Sequence, residues 1–80
     1  MPTLFRFDGF RVFFYSNEGD PREPAHVHVM GGGGEAKFWL RPDVTLARSA
    51  GFDARTLRRL AQVIEARRDQ IERGWHEHFG

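Results

Sequence analysis

The sequence predicts an α+β fold, in which one long C-terminal helix packs on one face of an antiparallel sheet of four or five strands. In the first half of the chain, apolar and polar side chains alternate with a period of two between turn residues, which is typical of strands. From Asp53 onward the apolar period changes to about 3.6, the period of a helix. Eight phenylalanines among 80 residues provide bulk for one core, so we expect a single domain over residues 1–80.

The composition excludes several classes of protein. There is no cysteine, which excludes disulfides and thiolate zinc sites. No segment approaches the roughly 20 apolar residues of a membrane helix, and the charged N-terminal segment lacks the apolar run of a signal peptide. We therefore expect a soluble, cytoplasmic protein that makes no membrane contact.

The first two strands are predicted on either side of a tight turn. The segments TLFRF (3–7) and FRVFFYS (10–16) are rich in aromatic and β-branched residues. Asp8 and Gly9 between them form a dipeptide that favours a two-residue hairpin turn. The segment NEGDPREP (17–24) that follows is rich in turn formers and charge, so it is predicted to be an exposed loop.

A second hairpin is predicted around the glycine run 31–34. Its strands are AHVHV (25–29) and EAKFWL (35–40), and Pro42 ends the second strand or marks a sheet edge. The segment DVTLA (43–47) is a candidate for a short fifth strand.

A helix is predicted over residues 53–73, with Asp53 as its N-cap. Arg68 interrupts the apolar stripe, and we expect its aliphatic stem to extend past the edge of the core. The stripe that faces the sheet consists of Leu57, Leu60, Ala61, Ile64, Ile71 and Trp75.

The pairing of the second hairpin determines which side chains share a face. Folding it symmetrically about the glycines places Val29 opposite Ala36 and Val27 opposite Phe38. With Leu40, these residues form an apolar face that packs against the helix.

The opposite face of this hairpin carries the side chains that could take part in catalysis or binding. His26 lies beside Trp39, His28 lies beside Lys37, and Glu35 is near the tip. Because this face points away from the predicted helix, we expect His26 and His28 to contribute little to the apolar core.

Three interpretations of the two histidines are open. They are polar residues of a half-exposed sheet; or they bind a metal with Glu35, for which His76 and His78 offer further imidazoles; or they transfer protons, since histidine titrates near neutral pH. A neighbouring ammonium repels a metal cation and favours the neutral imidazole that a general base requires. We therefore predict no metal site and no cofactor.

A basic cluster lies at the start of the predicted helix. Residues 41–60 contain five arginines and two aspartates, although the whole chain has a formal net charge of only +1. Arg55, Arg58 and Arg59 are the arginines of this cluster on the helix. Such a cluster is typical of a solvated helix face, and it is also a candidate RNA-binding surface.

The ordered motifs MPTLFRF, FRVFFYSNEG, PAHVHV and GEAKFWL, followed by a GF pair before the helix, resemble a bacterial family of unknown function, DUF forty-one-sixty. Extra glycines at 31–34 and PREP before the histidines depart from its usual pattern and lengthen loops. The resemblance implies a small cognate protein of the DUF twenty-four-forty-two type and a role in a toxin–antitoxin pair. The run ARTLRRL (54–60) is also similar to the helix opening of HicA toxins, which are small ribonucleases.

These observations favour a toxin-like protein that cleaves RNA without a metal. In this hypothesis His26 or His28 transfers a proton at the scissile phosphate, and Lys37 stabilises its charge. Trp39 stacks on a base, and the helix arginines Arg55, Arg58 and Arg59 contribute to RNA binding. The alternative is a non-catalytic interaction module, whose sheet face binds a partner protein.

Overall fold

The structure is a computed structural model that describes residues 3–15 and 24–79. Within these residues, five strands form one antiparallel sheet in chain order, and two helices follow. The α+β prediction is confirmed, but the prediction of one long helix is wrong. The elements are β1 Thr3–Phe7, β2 Phe10–Phe13, β3 His26–Gly31, β4 Gly34–Trp39, β5 Thr45–Ala50, α1 Ala54–Ala66 and α2 Arg68–Phe79.

Two tight turns connect the strands of the two predicted hairpins. Asp8 and Gly9 have φ angles of 46° and 82°, and Gly32 and Gly33 have φ angles of 58° and 82°. Positive φ at both central residues is the requirement of a type I′ turn, whose twist matches that of the strands. The hairpin predicted at Asp8-Gly9 is therefore confirmed.

The predicted register of β3 and β4 is confirmed. Val27 pairs with Phe38 and Val29 pairs with Ala36, while His28 pairs with Lys37. The limits of β5 differ from the prediction, because residues 41–43 form a bend and pairing with β4 continues to Ala50. Most of the predicted loop, residues 17–23, lies outside the described residues.

The core lies between the sheet and the helices. The apolar sheet residues and the helix stripe predicted from the sequence meet there, and Leu60, Ile64 and Ile71 are fully buried. Leu57 and Ala61 are partly buried at its margin. The central cluster consists of Val12, Val27, Val29, Ala36, Phe38, Leu40, Leu60, Ile64 and Ile71.

The helical segment is interrupted at Arg67, beside the charged residue in the apolar stripe. A continuous helix would direct Arg68 into the core, where an unpaired charge is costly. In the structure its side chain stays 23% exposed, and its guanidinium lies 3.8 Å from Glu65 and 3.9 Å from Glu72. Arg68 therefore meets acidic groups of its own chain. Neither α1 nor α2 is long and apolar enough to cross a membrane.

The predicted N-cap of α1 is confirmed, since the Thr56 backbone N–H donates to Asp53 Oδ1 at 2.7 Å. Hydrogen bonds from the Thr56 backbone and side chain hold the pKa of Asp53 below its usual value. Nearby Arg55 and Arg58 lower that pKa further. A depressed folded-state pKa contributes stability above the unfolded pKa, and that contribution is lost as the pH falls through the folded pKa.

Asp53→Ala is therefore expected to be less stable than the wild type at neutral pH, by a difference that shrinks below about pH 3.9. Urea unfolding across a pH series measures this difference. Asp53→Asn is the matched control, because its amide oxygen keeps the cap but does not titrate in this range. A difference between wild type and Asp53→Ala that is constant with pH would contradict the role of the charged carboxylate.

Candidate functional site

The candidate site lies on the sheet face opposite the apolar core, which we call the polar face. One row of directly paired residues crosses four strands of this face, from β2 to β5. Phe13 pairs with His28, His28 with Lys37, and Lys37 with Arg48. We call these four residues the histidine row. Side chains paired in this way lie about 5 Å apart at their Cβ atoms, so an imidazole, an ammonium and a guanidinium are direct neighbours.

The His28 ring is held by aromatic side chains. It stacks on Phe13 with ring centroids 5.6 Å apart. It also forms edge-to-face contacts with Tyr15 and His26, at centroid distances of 4.8 Å and 5.2 Å. The residue is only 6% exposed. The register prediction placed His28 on the correct face. The interpretation of His28 as a polar residue of a half-exposed sheet is wrong, because the rings of Phe13, Tyr15 and His26 cover it.

Lys37 and Arg48 form a pair of like charges beside His28. The Lys37 Nζ lies 4.3 Å from the centre of the Trp39 ring, a cation–π contact that keeps the ammonium on this face. Lys37 is 8% exposed, whereas Arg48 on β5 is exposed. Two cations directly opposite each other on a sheet repel.

A pocket of about 100 Å³ opens over the histidine row. Its ionisable side chains are an imidazole, a phenol, an ammonium, a guanidinium and a carboxylate. The imidazole, the ammonium and the guanidinium suit a bound phosphate, whereas the Glu35 carboxylate repels one. The residues that line the pocket are Phe13, Tyr15, His28, Val29, Met30, Glu35, Ala36, Lys37, Arg48, Ser49 and Ala50.

His26 occupies a different environment from His28 and does not line this pocket. It is fully buried, and its Nδ1 donates to the Pro24 carbonyl oxygen at 2.9 Å. The centroid of its ring lies 5.5 Å from that of Trp39 and 4.9 Å from that of Trp75 on α2. The expectation that His26 lies away from the helices and contributes little burial is wrong, because Trp75 covers this end of the sheet. His26 supports Trp39 and His28 from the interior.

The predicted RNA-binding arginines lie in the other layer of the molecule. Arg55, Arg58 and Arg59 are exposed on α1, which packs on the apolar face of the sheet. Arg59 also forms an ion pair with Asp8. The structure thus brings His28, Lys37 and Trp39 together, but it does not bring the helix arginines to them.

Arg48 and Tyr15 belong to the site but were not predicted from the sequence. Both are distant from His28 in the chain. Arg48 reaches the site only through the pairing of β5 with β4, and Tyr15 reaches it through the contact of its ring with His28. The predicted strand 43–47 ended one residue before Arg48. Extending the alternation to residue 50 would have included Arg48 in the strand, but its pairing with Lys37 also depends on the register shift between Lys37 and Phe38. The alternation of Phe13 and Tyr15 in the second strand was the signal for the phenol.

The side chains considered for a metal site fall into two groups, His26 and His28 with Glu35 on the sheet, and His76 with His78 on α2. Within residues 3–15 and 24–79, no three His, Asp or Glu side chains are arranged to hold a metal ion. His78 contacts Phe14 at a ring distance of 5.2 Å, and His76 is exposed on α2.

Comparison with known proteins identifies the family. The family model described as "Domain of unknown function (DUF4160)" matches residues 9–76, which span β2 through most of α2. The chain belongs to the DUF4160 family. Comparison with curated proteins found no match, and comparison with solved structures found none either. The pocket over the histidine row lies within the part of the DUF4160 chain that the family model covers.

Proposed function

We propose that this DUF4160 protein is a toxin-like ribonuclease of a two-protein module that acts on cytoplasmic RNA, and that the histidine row is its catalytic site. The observation that carries the proposal is the pairing of His28, Lys37 and Arg48 across three adjacent strands, at the base of one pocket. An enclosed imidazole beside two cations has the composition required to activate a hydroxyl and hold a phosphate. The two-protein module rests on the family resemblance, with a DUF twenty-four-forty-two protein as the partner.

In the proposed reaction, His28 accepts the proton of the RNA 2′-hydroxyl. The freed oxygen attacks the adjacent phosphorus, and the bond from phosphorus to the 5′-oxygen breaks. The leaving 5′-oxygen takes a proton from an acid, for which we assign the Tyr15 phenol of the same pocket. The products are a 2′,3′-cyclic phosphate and a free 5′-hydroxyl, and proton exchange with water restores both side chains.

The two cations have an electrostatic role. Lys37 and Arg48 face the position of the phosphate, so they stabilise the additional negative charge of the pentacoordinate transition state. The low exposure of Lys37 strengthens this effect, because less water screens its charge. Arg48 is exposed and forms the entrance to the pocket from β5.

Trp39 is assigned to substrate binding. It is partly buried and pairs with His26, one row along the sheet from Lys37. Aromatic rings on a sheet commonly stack on bases of single-stranded RNA. The ring carries Lys37 on one side, so a stacked base would lie beside the phosphate that Lys37 holds.

A second candidate is a non-catalytic interaction module that binds its partner protein through the polar face. The observation that favours it is Met30, a large apolar side chain that is 39% exposed at the pocket margin. Methionine adapts to varied partner surfaces. In this case the cations of the polar face would bind acidic side chains of the partner.

The proposed reaction requires a 2′-hydroxyl, and this requirement provides the test. The purified protein is expected to cleave single-stranded RNA in the presence of a chelator and to leave 2′,3′-cyclic phosphate ends. DNA of the same base sequence is the matched control, and it should remain intact because it lacks the nucleophile. Gel analysis and mass spectrometry of the ends measure both results. Cleavage of DNA and RNA alike, or of neither, would contradict the proposal, and binding of the partner without any cleavage would favour the interaction module.

A further inference from the structure

A second row of the polar face also contains two basic residues that pair directly with each other. Arg6 pairs with Arg11 across β1 and β2, and Arg11 pairs with Met30. Met30 pairs with Glu35, which pairs with Ala50. We call these five residues the arginine row. It lies two residues along the strands from the histidine row, a distance of about 7 Å.

Each row therefore contains two cations that face each other directly, Arg6 with Arg11 and Lys37 with Arg48. Like charges in this position destabilise a sheet. Among the described residues, no carboxylate forms an ion pair with Arg6, Arg11 or Arg48. An anionic ligand bound between Arg6 and Arg11 would remove the repulsion in this second row.

The two rows are physically connected. The Arg11 guanidinium lies 4.3 Å from the centre of the Phe13 ring, which stacks on His28. A groove of about 670 Å³ runs over the arginine row and is lined by Arg6, Arg11 and several glycines. It shares Met30, Glu35 and Ala50 with the pocket over the histidine row.

We propose that Arg6 and Arg11 form a second phosphate-binding subsite. The pair lies on β1 and β2, about three strand spacings or 14 Å across the sheet from the cation pair of the histidine row on β4 and β5. Single-stranded RNA would therefore cross the polar face obliquely, with non-adjacent phosphates at the two pairs. This inference rests on the proposed function and identifies the direction of its substrate across the sheet. Glycines Gly31 and Gly33 leave the floor of the groove without side chains, so the sugar–phosphate backbone reaches the strands. Glu35, the carboxylate between the two subsites, repels phosphate and keeps the charged groups of the RNA over the arginines.

The test measures how RNA affinity depends on salt. Each phosphate contact with a single strand contributes about 0.7 to the slope of log K against log salt concentration. Arg6→Gln/Arg11→Gln removes the subsite for one phosphate, so it is expected to reduce the slope for a non-cleavable 2′-O-methyl RNA by about 0.7, and to weaken binding at low salt by about tenfold or more. Arg55→Gln/Arg58→Gln is the matched control, because it removes the same charge from α1 in the other layer.

The outcomes separate this inference from the function on which it rests. If wild-type protein binds and cleaves RNA but the Arg6/Arg11 variant keeps the full salt slope, the second subsite is wrong and the catalytic proposal stands. A loss of slope in the Arg55/Arg58 variant alone would place the RNA on the helix layer and overturn the subsite. If wild-type protein binds no RNA, the inference fails together with the proposed function. A reduced slope only for the Arg6/Arg11 variant is the expected result.

Discussion

Replacing His28 with asparagine is expected to lower kcat for RNA cleavage by about 10²- to 10⁴-fold, which is the usual contribution of general acid–base catalysis. Asparagine retains a polar group of similar size but accepts no proton at neutral pH. Initial rates on a single-stranded RNA, with the free energy of unfolding measured on the same preparation, provide the comparison. His76→Asn is the control, since His76 is exposed on α2 and lies outside the pocket. Cleavage by His28→Asn at the wild-type rate would show that the histidine row is not the catalytic site.

Arg48→Gln tests the same site without disturbing packing, because Arg48 is exposed on the edge strand β5. Its loss is expected to lower kcat/KM for RNA while the free energy of unfolding is unchanged. The two variants together distinguish loss of chemistry from loss of folded protein, since only His28 packs against Phe13 and Tyr15.

Replacing His26 is expected to lower the stability of the protein, whereas replacing His28 is expected to lower the rate of RNA cleavage. His26→Ala removes a fully buried ring and the donor of the hydrogen bond to the Pro24 carbonyl. Loss of the buried ring leaves a cavity beside Trp39 and Trp75, so the free energy of unfolding should fall by about 1–3 kcal/mol. A stable His26→Ala protein with lost cleavage would instead assign the proton transfer to His26.

The largest effect on stability is expected for Leu60→Ala, at about 2–5 kcal/mol. Leu60 is fully buried in the centre of the core, and its truncation leaves a cavity among close-packed residues. Urea denaturation at constant pH measures the loss. The matched control is Leu46→Ala, the same substitution at a leucine that is 44% exposed, which should change stability by no more than about 0.5 kcal/mol. A loss below about 1 kcal/mol for Leu60→Ala would contradict the packing of α1 on the sheet.

The glycines at 31–34 are required for two different reasons, and the local sequence pattern indicates only the first. A hairpin turn needs the two central glycines, and the sequence predicts that turn. Gly34 is required for a different reason, because a Cβ atom there would lie 2.4 Å from the Phe52 ring. Phe52 follows β5 in the chain, so this close approach exists only after the sheet has formed.

The sequence by itself determined the strands of the two hairpins, the register of β3 with β4, the Asp53 cap and the apolar stripe of the helices. These features depend on neighbours within a few residues or on the period of the side chains, and such signals are present in any short stretch of chain. Only the tertiary structure decided the burial of His26 and His28, the break at Arg67, and the meeting of Arg48 with Lys37 and of Arg11 with Phe13. Each of these depends on which strand or helix packs beside another, and residues distant in the chain acquire a common charge or a common pocket only through that packing.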